Sequence, residues 1–334
     1  MVACGKGNML KLKNLFENFD LAKDCLKQYD TDWESLDRYF PYFRVSSNAI
    51  YPFRAKKAEK VCFLRLSPVE EKSIKDVRSE IQLIEWLIGQ GFPAMKPFPM
   101  KDGRLWAVVD TKWGVYNMSC FEAVPGKTLE DCEGSPRLIA GYGRTLGQMH
   151  RLLRSYPFAE TRRDHHALMA EIRERLIQYR APEKLMAEWN RVNAELDTLP
   201  IDPAVYGFIH YDFEADNVLY SSKTDSFGVI DFDDAVRCWY ALDVARALDC
   251  LSDVDDSADP SEAEAAFMKG YREACAFSEE QLSSVPLMRR LVRLQEYGSI
   301  LYTLSEPVND APEWMTEIVE KLENRLQSIE NSLE

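Results

Sequence analysis

Two short apolar runs, residues 205–209 and 218–220, flank the stretch His210-Tyr211-Asp212-Phe213-Glu214-Ala215-Asp216-Asn217. A third run, residues 227–230, leads straight into Asp231-Phe232-Asp233-Asp234. Between the last two runs lies Ser221-Ser222-Lys223-Thr224-Asp225-Ser226, which has turn composition. The spacing predicts a hairpin with Asp212 and Asn217 in the loop before it and Asp231 at its exit, so three polar side chains converge on one point. This set matches what phosphoryl transfer from a metal nucleotide requires: a carboxylate to orient a hydroxyl and receive its proton, and an amide oxygen with a second carboxylate to hold Mg²⁺ against the phosphates. An H-x-D triplet alone carries little weight. Three chemically matched positions outweigh the plainer reading, in which polar residues merely cap the hairpin turns.

The motif pair resembles that of the aminoglycoside phosphotransferase and choline kinase group, and the resemblance runs from about Val45 to the C-terminal helices. It implies a protein-kinase-like two-lobed fold, with a small antiparallel-sheet N-lobe and a larger, mainly helical C-lobe. It also implies ATP or GTP as phosphate donor, Mg²⁺ as cofactor, and a hydroxyl of a small molecule as acceptor. Asp212 is then the catalytic residue, and Asn217 and Asp231 are the metal ligands.

The rest of the chain is compatible with this plan. Residues 1 to about 40 read as a polar helical extension with a weak apolar stripe at Leu10, Leu12, Leu15 and Phe16. Residues 44–53 and 60–66 read as strands. Ile81, Ile84, Leu87 and Ile88 then fall on one helical face that Gly89 and Gly91 end. Two further strands, 105–109 and 115–121, precede a break at Pro125-Gly126, beyond which helical periodicity dominates, as at Ile139, Tyr142, Leu146, Met149 and Leu153. Pattern alone gives α+β. The expected division is residues 1–122, a nucleotide-binding lobe with the helical extension, and 123–334, a catalytic and substrate-binding lobe.

A kinase orients the nucleotide phosphates with a strand cation held by a helix carboxylate. The strand Val61-Cys62-Phe63-Leu64-Arg65-Leu66 offers Arg65, and Glu80 begins the following helical stripe. Arginine in place of lysine is similar to many members of the group, and its fork can contact two phosphate oxygens. The loop Val45-Ser46-Ser47-Asn48-Ala49-Ile50 has no glycine, so only Ser47 and Asn48 stand out as phosphate contacts. By resemblance, residues 120–126 form the hinge, where the Phe121 carbonyl and the Ala123 amide would meet the purine edge. Gly141-Tyr142-Gly143-Arg144-Thr145-Leu146-Gly147 sits inside a helical stripe and reads as close helix packing. His165-His166 reads as a solvated loop, His150 as a buried, hydrogen-bonded residue, and Asp243 as a cap or a brace for the catalytic loop.

The balance of 41 basic against 55 acidic residues disfavours nucleic acid as a partner. No apolar run nears the roughly 20 residues of a membrane span. Eight cysteines without a C-x-x-C pair and no signal peptide point to a reducing cytoplasm. Glu214, Asp233 and Asp234 cluster about the reaction centre and suggest a pocket for a polar, amine-bearing acceptor. Two rival classes are a protein serine/threonine kinase on the same scaffold and a nucleotide-binding regulator without turnover. The short interval between Asp231 and the apolar stretch from Trp239 disfavours the first, and the complete Asp212, Asn217 and Asp231 set disfavours the second.

Overall fold

Alternating apolar residues at Tyr51, Phe53, Cys62, Leu64 and Leu66 bury one face of a hairpin that founds the N-terminal sheet. A computed structural model of the chain describes residues 11, 18–46, 48–158, 162–306 and 313–333. The stripe at Leu10, Leu12, Leu15 and Phe16 lies outside them, as does Ser47. The first part contains α1 (Phe19–Leu26), α2 (Leu36–Tyr39), β1 (Arg44–Val45), β2 (Ala49–Ala55), β3 (Lys60–Pro68), α3 (Ile74–Gly89), β4 (Trp106–Thr111) and β5 (Gly114–Glu122). The strands pair antiparallel in the order β1-β2-β3-β5-β4. Ser73 caps α3 by accepting the Asp76 N–H at 3.3 Å. The helix buries Val77, Ile81, Ile84 and Leu87, and Gly91, at φ 81°, turns the chain away from its end.

Beyond Gly126 follow β6 (Lys127–Thr128), α4 (Pro136–Leu153), α5 (His165–Gln178), α6 (Glu183–Leu196), β7 (Tyr206–Ile209), β8 (Val218–Ser221), β9 (Ser226–Val229) and β10 (Val236–Trp239). The chain ends with α7 (Tyr240–Asp249), α8 (Leu251–Val254), α9 (Pro260–Ala274), α10 (Glu279–Ser283), α11 (Val285–Leu304) and α12 (Glu313–Asn331). β8 and β9 form the expected hairpin, with β6 added to its edge, while β7 pairs with β10. The glycine-rich stretch of α4 is a packing surface. A Cβ on Gly143 would lie 2.1 Å from the Phe267 carbonyl oxygen of α9, and one on Gly147 2.6 Å from that of Tyr271. The described cysteines are free, and all but Cys132 are buried, where they pack as small apolar groups. No helix among the described residues is long and apolar enough to cross a membrane.

Several joints connect the sheet and α3 to the helical part, and two of them lie at β5 and β1. At the first, β5 runs into residues 123–126, and the nearby loop docks on β9: the Met95 N–H donates to the Val229 carbonyl at 2.8 Å, and the Val229 N–H to that of Pro93 at 2.9 Å. At the second, Val45 of β1 is buried in one apolar cluster with Ile300 of α11 and with Met315, Ile318 and Leu322 of α12.

Candidate active site

The site is organised by a buried carboxylate. Asp243, in the first turn of α7, accepts the N–H groups of His210 at 2.8 Å and Tyr211 at 2.7 Å. It also meets His150 Nε2 at 3.0 Å, and the other ring nitrogen of His150 meets the Tyr271 hydroxyl at 2.7 Å. Burial holds the His150 pKa below its ordinary value, with Asp243 opposing, so its role is to brace the loop. His210 Nε2 donates to the Ile230 carbonyl at 2.9 Å, and the Ile230 N–H donates to the Asn217 carbonyl at 3.0 Å. The two motif loops are thereby tied side by side. Tyr211 and Asp231 have φ of 75° and 63°, a region that costs a non-glycine residue about 1–3 kcal/mol and persists only when its surroundings enforce it.

Asn217 Nδ2 donates to both the carbonyl and Oδ2 of Asp212 at 3.0 Å, which leaves Oδ1 as the atom of Asn217 available to a cation. Among the described residues, Asp212 Oδ1 has no hydrogen-bond partner. Its nearest cation is Arg246 Nη1 at 3.5 Å. Burial and then Glu214 push the Asp212 carboxyl well above the usual range, with Arg246 opposing. Burial and then Asp233 do the same to Asp231, with Arg65 opposing. Asp231 and Asn217 offer hard oxygen donors, and among the described residues no three His, Cys, Asp or Glu side chains converge as a metal cage. Two protein donors with the remainder from phosphates and water is the arrangement that suits Mg²⁺, so the residues present fit the ion.

Arg65 and Glu80 form a buried fork-to-fork pair, with Nη1–Oε1 at 2.9 Å and Nη2 also bonded to Oε2. Burial works against the arginine charge and Glu80 more than offsets it, so Arg65 stays protonated. Its Nη1 lies 3.7 Å from Asp231 Oδ1, and its guanidinium stacks 4.7 Å from the Phe121 ring. The hinge differs from the expectation at Ala123. The Ala123 N–H donates to the Val61 carbonyl at 2.9 Å, because pairing with β3 persists past the end of β5. Phe121, opposite Phe63 in the same ladder, also lies within the sheet.

The acids assigned to the acceptor are all paired. Asp233 accepts Asn48 Nδ2 at 2.7 Å and binds Lys72. Burial raises its pKa, but Lys72 and Arg65 outweigh it and hold the carboxyl below the usual range. Glu214 binds Arg246 Nη1 at 3.0 Å, and Asp234 lies 3.9 Å from Arg163 Nη2. Carboxylates removed from water require such partners, and this cluster of acids is therefore charge-matched. Asn48 thus meets Asp233 across the cleft. His165 corrects a second expectation: it is buried at the start of α5, with Nδ1 2.7 Å from the Tyr206 hydroxyl.

Sequence reasoning missed Arg246 and Lys72. Arg246 had a legible signal, as a lone charge in an apolar helical run one turn after Asp243, on the same face.

The family model of the phosphotransferase enzyme family matches residues 46–277. The chain belongs to that family. An amicoumacin kinase from Bacillus subtilis (strain 168) is 26% identical over 259 residues, covering 74% of this chain and 76% of the relative. A homoserine kinase from Caulobacter vibrioides is 24% identical over 242 residues, covering 69% and 74%. Among solved structures, the amicoumacin kinase hAmiN in complex with AMP-PNP, Ca²⁺ and Ami has a TM-score of 0.77 at 19% identity, with 95% of each chain covered. A microcompartment-associated aminopropanol kinase has 0.63 at 19%, covering 95% of this chain and 98% of that one. These structural likenesses carry the α+β kinase-like fold. This chain is therefore an enzyme of the phosphotransferase kind.

Proposed function

We propose that this phosphotransferase moves the γ-phosphoryl group of an Mg²⁺-bound nucleotide, ATP or GTP, to the hydroxyl of a small amine-bearing metabolite or antibiotic. The observation that carries the reading is the half-buried Asp212 carboxylate, anchored through Oδ2 by Asn217 and with no hydrogen bond to Oδ1 among the described residues. That oxygen is suited to hold an acceptor O–H and to take its proton late in transfer, as a loose transition state allows. Arg65, fixed by Glu80, contacts phosphate oxygens, while Asp231 and Asn217 Oδ1 hold the ion. Bound Mg²⁺ supplies neutralisation of the phosphate charge. Aminopropanol and homoserine, for which two relatives are named, are primary amines bearing a hydroxyl, which supports the amine.

A peptide acceptor fits less well. Only residues 232–239 separate Asp231 from α7, and Val236–Trp239 are paired with β7, which leaves little chain for a docking platform. The test is nucleotide consumption, with product identified by mass, across amino alcohols, hydroxy amino acids, sugars and aminoglycosides. Turnover on one of these is expected. Efficient phosphorylation of a protein with none of them consumed overturns the reading.

A further inference from the structure

Three side chains far apart in sequence converge on Asp233. Asn48, which directly precedes β2, donates Nδ2–H to Asp233 Oδ2 at 2.7 Å, and Lys72, between β3 and α3, binds the same oxygen. Arg162 Nη1 donates to the Asp233 carbonyl at 2.7 Å and to that of Ala235 at 2.9 Å. Its Nη2 reaches the Asp76 carbonyl, in the first turn of α3, at 3.3 Å. The main chain at Asp233 is therefore fixed independently of its carboxylate. Lys72 is fixed as well, since its carbonyl accepts Asn117 Nδ2 of β5 at 2.6 Å. Asp233 and Asn48 are both buried. A carboxylate so far from water persists as an anion only with charge and hydrogen bonds around it, and Lys72 supplies the charge. Asn48 supplies direction, because it ties that anion to one turn of the sheet.

That turn lies beside the groups assigned to the phosphates. Val45 pairs with Ala49 across it, and the Ser46 N–H donates to the Asn48 carbonyl at 3.0 Å. Ile50, two residues on, pairs with Arg65, while Asp231 stands two residues before Asp233. In protein kinases a glycine-rich loop covers the phosphates, and glycine gives such a loop the freedom to close on its ligand. Residues 45–50 contain no glycine here. A side-chain bond to the loop of Asp231 takes over the task of holding the turn down. Asn48 commits an amide N–H to Asp233, so its effect on a phosphate runs through the placement of the turn.

We propose that Asp233 is a positioning residue for the nucleotide: through Asn48 its carboxylate pins the β1–β2 turn beside Arg65 and Asp231, where the turn covers the phosphates. The assignment rests on the Mg-nucleotide reading above. It moves Asp233 from the acceptor side of the site, where the sequence suggested it, to the nucleotide side.

The test is a cycle of substitutions in the whole chain, read by calorimetry as affinity for Mg²⁺ with a non-hydrolysable ATP or GTP analogue, whichever the wild type binds more tightly. Asn48→Ala removes no charge and is expected to weaken binding about tenfold, the order of one hydrogen bond to a charged group. The second arm repeats Asn48→Ala in a Lys72→Met/Asp233→Leu background, which removes the ion pair whole and leaves no unmatched buried charge. There Asn48→Ala should weaken binding by less than about twofold further, because its partner is already gone. A residue that only holds the fold together lowers the melting temperature and leaves the affinity of the folded enzyme unchanged. Unchanged affinity in Asn48→Ala would therefore overturn the assignment, whatever the melting temperature. An equal loss in both backgrounds would also overturn it, by marking Asn48 as a direct phosphate contact. Failure of the Mg-nucleotide reading looks different: wild-type binding would be absent or indifferent to Mg²⁺, and this assignment would fall with it.

Discussion

Asp212 carries its role in a place that opposes its charge, since burial and Glu214 both favour the protonated form. Replacing it with asparagine keeps the shape and removes the proton acceptor. Asp212→Asn should spare Mg-nucleotide affinity and cut turnover by roughly 10²–10⁴-fold, and near-normal turnover would sink the assignment. Asp216 allows a cleaner titration. Burial, Glu214 and Glu130 raise its pKa from 3.8 to about 6. The folded state then binds a proton that the unfolded state has released, so this residue's contribution to stability falls as pH rises from about 4 to about 6. Asp216→Asn should melt above the wild type at pH 7, and the advantage should shrink below pH 6 and vanish near pH 4. At this scale Asp212, Asn217 and Asp231 were legible because five residues of local spacing and one hairpin bring them together. Lys72 was not legible, because its partner Asp233 lies 161 positions away and nothing near Lys72 distinguishes it from a solvated lysine.

Among the elements, β3 and α3 act together through Arg65 and Glu80. Each is buried against the other, so removing one leaves an unmatched charge, and removing both leaves none. Single substitutions to alanine should each lower kcat/KM, and the double variant should lose less than the sum of the single losses. Strict additivity in that cycle would mean the two residues act separately. The long elements were readable in advance because their periodicity is local: the stripes of α3 and α4 recur every three or four residues. The strands β6 and β10 were not. They are two and four residues long, and their partners, β8 and β7, are fixed by tertiary packing, which leaves no period in the sequence. His165 was misread for a related reason. A helix start and a loop look alike until Tyr206, 41 positions away, supplies the partner that buries the ring.

For the whole molecule, formal net charge is −14, yet Glu214, Asp233 and Asp234 each have a cationic neighbour. Surface charge and site charge therefore part company. Between about 0.05 and 0.2 M salt, the acceptor KM should change less than about twofold, because matched buried pairs are weakly screened. A steep rise with salt would restore the picture of an open acidic pocket. The two joints have a mechanical consequence of their own. One is at β5 and the other at β1, three strand spacings away, or about 14 Å across the sheet. Between them α3 buries Leu83, Ile84 and Leu87 in the core of the helical part, and Asn48 and Lys72 both bond Asp233. A sheet tied at its edge, near its middle and through its helix resists twisting, so the 3.7 Å approach of Arg65 to Asp231 is set by the fold and not by one local contact.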